Sequence, residues 1–291
     1  MSCLKDKLYL ESIKLKIGFV FTNYNNTKYT ELALESISKS DSSEAPVVIV
    51  DNSSESNCIT ELTKVCERFE NAYLILNDEN IGYFKGLNTG IAQGRKQFPE
   101  VDYWIIGNND LSFPSNFKQQ IEKCIDTLCD YPVIAPNIRT LDGVPQNPHV
   151  ISRISKIREF VYDLYYSNFY LAMLIKKLAD MTHSVTDRDD ESFHETAMEI
   201  YQGYGACYIL TPLFFKHFDE LWSPTFLMYE EYFLSKQLKD KGFKTYYEPT
   251  IKIEHHWHAT TFELPKKRYW ELAREAHKEY RKYVKVWSKE Y

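Results

Sequence analysis

Four stretches of this chain carry residues whose types and spacing could do chemistry. Asn108-Asn109-Asp110 follows an apolar run and opens a turn. Oxygen donors at the first and third positions of a tight turn can converge on one hard cation, and Mg2+ or Mn2+ held there can bridge to a diphosphate. Asn and Asp are also common turn formers, so the triplet alone leaves a ligand set and a plain turn both open. Asp51 closes a second apolar run. A carboxylate there can accept hydrogen bonds from a ribose or base edge, or simply cap the turn Asp51-Asn52-Ser53-Ser54. The third stretch, residues 77–88, contains Asn80, Gly82, Lys85 and Gly86. Its glycines permit close backbone approach to a ligand, and it opens a helix whose N-terminal amides favour negative charge. It does not fit G-x-G-x-x-G, and no such motif follows the first apolar run, which argues against a dinucleotide dehydrogenase. Late in the chain, Glu254-His255-His256-Trp257-His258 places three imidazoles within four positions after a strand-like segment.

Elements must bring these residues together. Four apolar runs share one design: residues 17–21 end in Thr22-Asn23, 47–50 in Asp51-Asn52, 73–76 in Asn77-Asp78, and 104–106 in Gly107-Asn108-Asn109-Asp110. Continuous apolar runs of this length predict strands buried on both faces, as in a parallel sheet. Helix-like stretches at 28–39, 58–69 and 86–97 lie between them, giving βαβ units. Ligands of such sheets bind outside the carboxyl ends of the strands. Here every strand delivers Asn, Asp or Thr to that edge, so polar side chains from four strands converge on one crevice. Further on, the pattern predicts a helix at 115–129, strands at 132–136, 208–210, 243–247 and 251–253, and a helix at 230–241 stopped by Gly242. Residues 151–180 read as a helical insert that shapes the acceptor side or lies against a membrane surface, 182–196 as a solvated loop, and 265–291 as a long, basic helix.

Bulk properties narrow the class. A chain of 291 residues with 44% hydrophobic and 26% charged residues is an ordinary globular composition. A net charge of −6 provides no global footprint for nucleic acid. The six cysteines form no CxxC pair, so neither a zinc site nor a disulfide scaffold is expected, and a reduced, cytoplasmic setting fits. No apolar stretch approaches the ~18 residues of a membrane span, and residues 1–15 lack a signal-peptide core. The high aromatic content, with 22 Tyr and 17 Phe, suits stacking on sugars or bases as well as a Tyr-rich core.

The order and spacing of the motifs resemble family 2 glycosyltransferases of the GT-A fold. The likeness rests on Phe21-Thr22-Asn23-Tyr24-Asn25, Val48-Ile49-Val50-Asp51-Asn52-Ser53, Asn77-Asp78-Glu79-Asn80-Ile81-Gly82, Asn108-Asn109-Asp110 and Phe226-Leu227-Met228-Tyr229-Glu230-Glu231, over roughly residues 16–261. The Asn-Asn-Asp turn is similar to the rhamnosyltransferase-like branch. The resemblance implies an α/β GT-A domain over 1–262, with a mostly parallel sheet, a helical insert at about 151–196 and a helical extension at 263–291. It implies a nucleotide-diphosphate sugar donor, a divalent Mn2+ or Mg2+, and inversion at the anomeric carbon. By position, Thr22, Asn23 and Asp51 would line the nucleotide pocket, with Asn80, Gly82, Lys85, Gly86, Asn108 and Asn109 completing the nucleotide-sugar set. Asp110 would ligate the metal, joined by His255. The base would be Glu231, where the family usually has Asp, or Glu230. A further family carboxylate is replaced by Phe233. On a helix, adjacent residues point about 100° apart, so only one of Glu230 and Glu231 can face an acceptor. Tyr204 and Gly205 would lie near the acceptor, and Trp257 could stack on its sugar ring or anchor the core.

The acceptor implied is a glycan or lipid-linked hydroxyl in bacterial surface polysaccharide synthesis. The basic C-terminal helix could meet anionic headgroups on the inner face of the cell membrane; it could equally form a homodimer or pack on the domain. Two other readings compete. A nucleotidyltransferase would show a basic, Gly-rich loop after its first strand, where this chain has Thr22-Asn23-Tyr24-Asn25-Asn26-Thr27. A catalytically inactive carbohydrate-binding homologue could carry Asn108, Glu231 and Phe233 as its departures.

Overall fold

The structure is a computed structural model that describes residues 15–151, 155–182, 193–256 and 266–286. Trp257 and His258 lie outside the described residues, as does most of the 182–196 loop. The first three apolar runs form β1 (Ile17–Asn23), β2 (Val47–Asp51) and β3 (Ala72–Leu76), and the fourth forms β4 (Tyr103–Asn108). Helices α1 (Thr27–Ser38), α2 (Ser56–Cys66) and α3 (Tyr83–Gln97) connect them. All three pairings, β3-β2, β2-β1 and β1-β4, are parallel. Beyond β4 come β5 (Leu111–Ser112), α4 (Phe117–Leu128), β6 (Val133–Thr140), α5 (Lys156–Ser167) and α6 (Phe169–Thr182). They are followed by β7 (Met198–Ile200), β8 (Cys207–Leu210), α7 (Pro212–His217), α8 (Glu230–Lys239), β9 (Thr245–His255) and α9 (Lys266–Arg281). The strand order is β3-β2-β1-β4-β8-β6-β9-β5, with β7 on β9. β8 runs antiparallel to both β4 and β6, so the sheet is parallel in its first half and mixed in its second.

Two sequence expectations change. The 73–76 run is not buried on both faces: β3 is the edge strand, half-buried along its length, with Leu76 exposed. An apolar run cannot by itself say whether it ends at an edge. The segments on either side of Pro249 are one strand, because β9 runs on past the proline while its pairing register with β6 shifts at Pro136/Asn137. A bulge absorbs the missing donor.

Side chains alternate across β1. Phe19 and Phe21 face one core, where Phe113 and Phe117 pack edge-on at 4.9 Å, and Val20 faces the other with Trp104. Helix α3 lies on that second face through Gly86, Gly90 and Gly94, one per turn. A Cβ at Gly90 would stand 2.3 Å from Val20, and one at Gly94 2.6 Å from Trp104. The helix therefore sits close enough to carry its first turn down onto the strand ends.

Candidate active site

Strand register sets the rim. Thr22 is the partner of Asn108 across β1 and β4, and Asn23 is the partner of Asp51 across β1 and β2. The polar ends are cross-linked. Asn109 Nδ2 lies 3.0 Å from Asn23 Oδ1 and 2.8 Å from Thr30 Oγ1. Asn23 Nδ2 donates to Asp51 Oδ1 at 2.7 Å, and Ser54 donates its hydroxyl and its N–H to the two oxygens of the same carboxylate. Asn23 and Asp51 have no exposed surface, and Asn109 has 5%. The sequence set all three against a nucleotide. In the fold each already has protein partners and forms a layer behind the rim, where three strand ends are locked together. Thr22 and Asn108 are the partly exposed members.

The glycines of the third stretch are packed closely against the protein. Gly82 has φ +92° and is packed so that a Cβ would stand 2.2 Å from the Phe226 carbonyl oxygen. A Cβ on Gly86 would meet Thr22 and Asn52, each at 2.9 Å. The first amide of α3 is also occupied, since Tyr83 N–H donates to Phe226 O at 3.0 Å. Asn80 builds the turn by accepting from Gly82 N–H, and Asn52 donates to Gly82 O. Lys85 is exposed and lines a shallow cleft with Asn88, Thr89 and Trp222.

Asp110 and His255 do meet. They lie on paired antiparallel segments, Leu111 being the register partner of His255, and both are buried. His255 Nε2 is 3.1 Å from Asp110 Oδ1, and His255 Nδ1 is 2.7 Å from Gln146 Oε1. With Gln146 Oε1 accepting at Nδ1, a neutral ring carries its proton there and turns the Nε2 lone pair to the carboxylate. Two acceptors face to face are satisfied by a cation or a proton. A second nitrogen held by a carbonyl is also how metal-binding imidazoles are usually oriented. The pair thus fits one oxygen and one nitrogen ligand of a divalent ion, the remaining positions falling to donor oxygens or water. Among the described residues, no group of three His, Cys, Asp or Glu side chains converges. His256 turns the other way, as alternation on a strand requires, and its Nε2 lies 2.8 Å from Ser112 Oγ.

Glu230 and Glu231 open α8 after two consecutive left-handed residues, Met228 (φ +74°) and Tyr229 (φ +66°). Such backbone is strained for side-chain-bearing residues and persists where its surroundings fix it. Thr225 Oγ1 donates to Met228 O at 3.0 Å. Tyr229 stacks on Tyr280 at 4.6 Å, and its hydroxyl lies 2.8 Å from His277 Nδ1, whose Nε2 is 2.9 Å from Asp163. Helices α5 and α9 therefore clamp the turn. The two carboxylates emerge differently. Glu230 folds back to accept from Met228 N–H at 2.8 Å. Glu231 is partly exposed and accepts from Gly205 N–H at 3.1 Å. The next carbonyl, Ala206 O, accepts from Asn108 N–H, so Glu231 stands beside the rim. Burial raises both carboxyls above their usual range, and the Glu231 charge raises Glu230 further. Glu230, the more deeply buried, is the member that keeps a proton, which leaves Glu231 as the carboxylate. Tyr204 lines the same rim, its ring 6.0 Å from that of His255.

The sequence over residues 19–185, more than half of the chain, matches the family model described as glycosyl transferase family 2. The chain belongs to this family. No curated protein matches it. Among solved structures, one of GalNAc-T7 with UDP, GalNAc and Mn2+ is similar at TM-score 0.52 and 11% identity, over 84% of this chain and 44% of that one. The mannosyltransferase PcManGT from Pyrobaculum calidifontis, in complex with GDP-Man and Mn2+, is similar at TM-score 0.51 and 14% identity, over 94% of this chain and 67% of that one. At such identities the likeness shows a shared GT-A fold. The chain spans less than half the length of the GalNAc-T7 chain.

Relative to the family 2 pattern, Phe233 is accounted for by packing. It is fully buried between Trp222 and Tyr283, ring centroids 5.0 and 5.9 Å away, so a carboxylate there would face the core. Sequence reasoning missed Gln146, which orients His255, and Tyr83, whose hydroxyl donates to Gly205 O at 2.7 Å. It also missed the Tyr229-His277-Asp163 chain. Each depends on a partner at least 48 positions away, and no local pattern marks it.

Proposed function

We propose that this protein is an inverting transferase that moves a sugar from a nucleotide-diphosphate donor to a hydroxyl of a glycan or lipid-linked acceptor. A role in surface polysaccharide synthesis and a place near the rhamnosyltransferase-like branch, from the Asn108-Asn109-Asp110 turn, belong to the same reading. The observation that carries it is the meeting at one rim of two different devices. These are the buried Asp110-His255 pair, suited to a divalent ion, and the Glu231 carboxylate on the neighbouring Gly205-Ala206 edge.

The acceptor O–H gives its proton to Glu231 as its oxygen bonds to the anomeric carbon. The bond from that carbon to the diphosphate oxygen breaks, and its electron pair leaves with the diphosphate. A bound Mn2+ or Mg2+ would offset the charge gathering on that leaving group. Attack and departure on opposite faces need no covalent enzyme intermediate. Thr22 and Asn108 offer hydrogen bonds to the donor, and the Asn23-Asp51-Asn109 layer holds their strand ends in place, with any base or ribose contact of Asp51 or Asn23 made from that layer. Tyr204 presents a ring to the acceptor side.

The test is a panel of sugar nucleotides incubated with the protein and Mn2+ or Mg2+. Release of nucleoside diphosphate supports transfer. Release of pyrophosphate would show nucleotidyl transfer instead, and binding without turnover would show an inactive homologue.

A further inference from the structure

We propose that the α5-α6 hairpin is a membrane-contacting surface whose partner is an anionic phospholipid bilayer. Helix α6 reads Phe-Tyr-Leu-Ala-Met-Leu-Ile-Lys-Lys-Leu from residue 169 to 178, yet of these only Ala172 is buried. Tyr170 is 80% exposed and Leu174, one turn on, 54%; on α5, Ile157 is 78% exposed and Leu164, two turns on, 39%. Other helices hide such stripes: α1 buries Ala33, Leu34 and Ile37, and α4 buries Phe117, Ile121 and Leu128. Two neighbouring helices presenting apolar stripes to solvent need a cover.

Charge identifies the cover. Lys176 and Lys177 are exposed on the turn after Leu174. Residues 155–179 and 266–286, the hairpin and the α9 segment packed on it through Trp270 and Tyr165, hold twelve Lys and Arg against five Asp and Glu. The whole chain has 35 against 41. The positive charge of an acidic protein is thus concentrated on the helical layer that exposes apolar side chains. That combination fits a helix lying in the interface of an anionic bilayer. A second copy of the chain would set like charge against like. No helix among the described residues is long and apolar enough to cross a membrane, so the hairpin would lie on the surface. The C-terminal helix is a weaker candidate than the sequence implied, because Trp270, Ala273, Ala276 and Tyr280 are buried against the protein.

The placement matters for the site. Asp163 of α5 holds His277, which holds Tyr229, the residue before Glu230. Bilayer contact on the hairpin is thereby linked through these side chains to the turn that presents Glu231, a clause that rests on the proposed transfer. The test is flotation of the full chain with vesicles of phosphatidylcholine containing about one-third phosphatidylglycerol, and with phosphatidylcholine alone. The protein floats with the anionic vesicles. Ile157→Asp/Tyr170→Asp/Leu174→Asp lowers partitioning by more than about tenfold. Lys176→Gln/Lys177→Gln lowers it by about fivefold per charge on anionic vesicles only. Melting temperatures unchanged from the parent show that the variants fold. Absence of vesicle binding by the parent, or undiminished binding by the triple variant, overturns the proposal. So does a dimer in light scattering that the triple variant converts to monomer without any vesicle binding. Flotation needs neither donor nor turnover, so failure of the donor panel beside intact flotation would count against sugar transfer alone.

Discussion

Replacing Gly205 with alanine separates the proposed base from the fold. The new Cβ would stand 2.7 Å from Glu231 Oε1, 3.2 Å from its Cδ and 3.6 Å from its Cγ. Ordinary contact begins near 3.4 Å, so the carboxylate must retreat by roughly 0.7 Å. The obstacle is the end of a side chain that can rotate, and Gly205 is not among the positive-φ glycines, so alanine meets no backbone strain. Stability should change by less than about 1 kcal/mol. Catalysis should suffer far more, because a misplacement near 1 Å can cost about 10²-fold in rate. The assay is steady-state release of nucleoside diphosphate with a saturating donor, beside thermal melting. The expected result is kcat down by about 10²-fold with KM for donor and Tm nearly unchanged. A kcat within about threefold of the parent would show that Glu231 does not act from the Gly205 edge.

Five further outcomes follow from the same geometry. Glu231→Gln should lower kcat by about 10²- to 10⁴-fold, whereas Glu230→Gln, which resembles the protonated neighbour, should keep most activity at neutral pH. Because burial raises the Glu231 carboxyl, the acid limb of kcat/KM should lie above the ordinary carboxylate range, and Glu230→Gln, which replaces a protonated neighbour, should leave that limb in place. Glu230 also binds a proton more tightly folded than unfolded, so it destabilises the fold as pH rises above its ordinary value of 4.5; the Tm advantage of Glu230→Gln should grow from pH 5 to pH 8. Asp110→Asn and His255→Ala should each weaken Mn2+ binding at least about tenfold by calorimetry while the melting curve stays cooperative. Gly90→Ala, whose methyl would stand 2.3 Å from Val20 under α3, should cost about 1–3 kcal/mol in denaturant unfolding, and an unshifted midpoint would mean that α3 is not seated as described.

The sequence carried the first half of the fold clearly. Each apolar run closed by polar residues became a strand, and the register that pairs Thr22 with Asn108 and Asn23 with Asp51 is what those endings implied. Asp110 with His255 was legible only through the family resemblance, since 145 residues separate them. What was not legible was direction. Asn23, Asp51 and Asn109 have the types expected of nucleotide ligands, but whether such groups face a crevice or each other depends on side-chain geometry behind the rim. Gly82 and Gly86 were read as allowing close approach of a ligand; in the fold they lie tight against Phe226 and against Thr22 and Asn52, as Gly205 lies against Glu231. A glycine marks a close approach without saying what approaches. The clamp from Asp163 through His277 to Tyr229 joins three helices, and no periodicity within one helix could reveal it.

Central to the proposed transfer is a cation held between the Asp110 carboxylate and the His255 imidazole. A crystal grown with a nucleoside diphosphate and Mn2+, with anomalous diffraction recorded at the manganese edge, addresses it directly. An anomalous peak bonded to Asp110 Oδ1 and His255 Nε2 and touching the diphosphate is the expected result. A diphosphate bound at the rim with its manganese on other side chains, or with none, would contradict it.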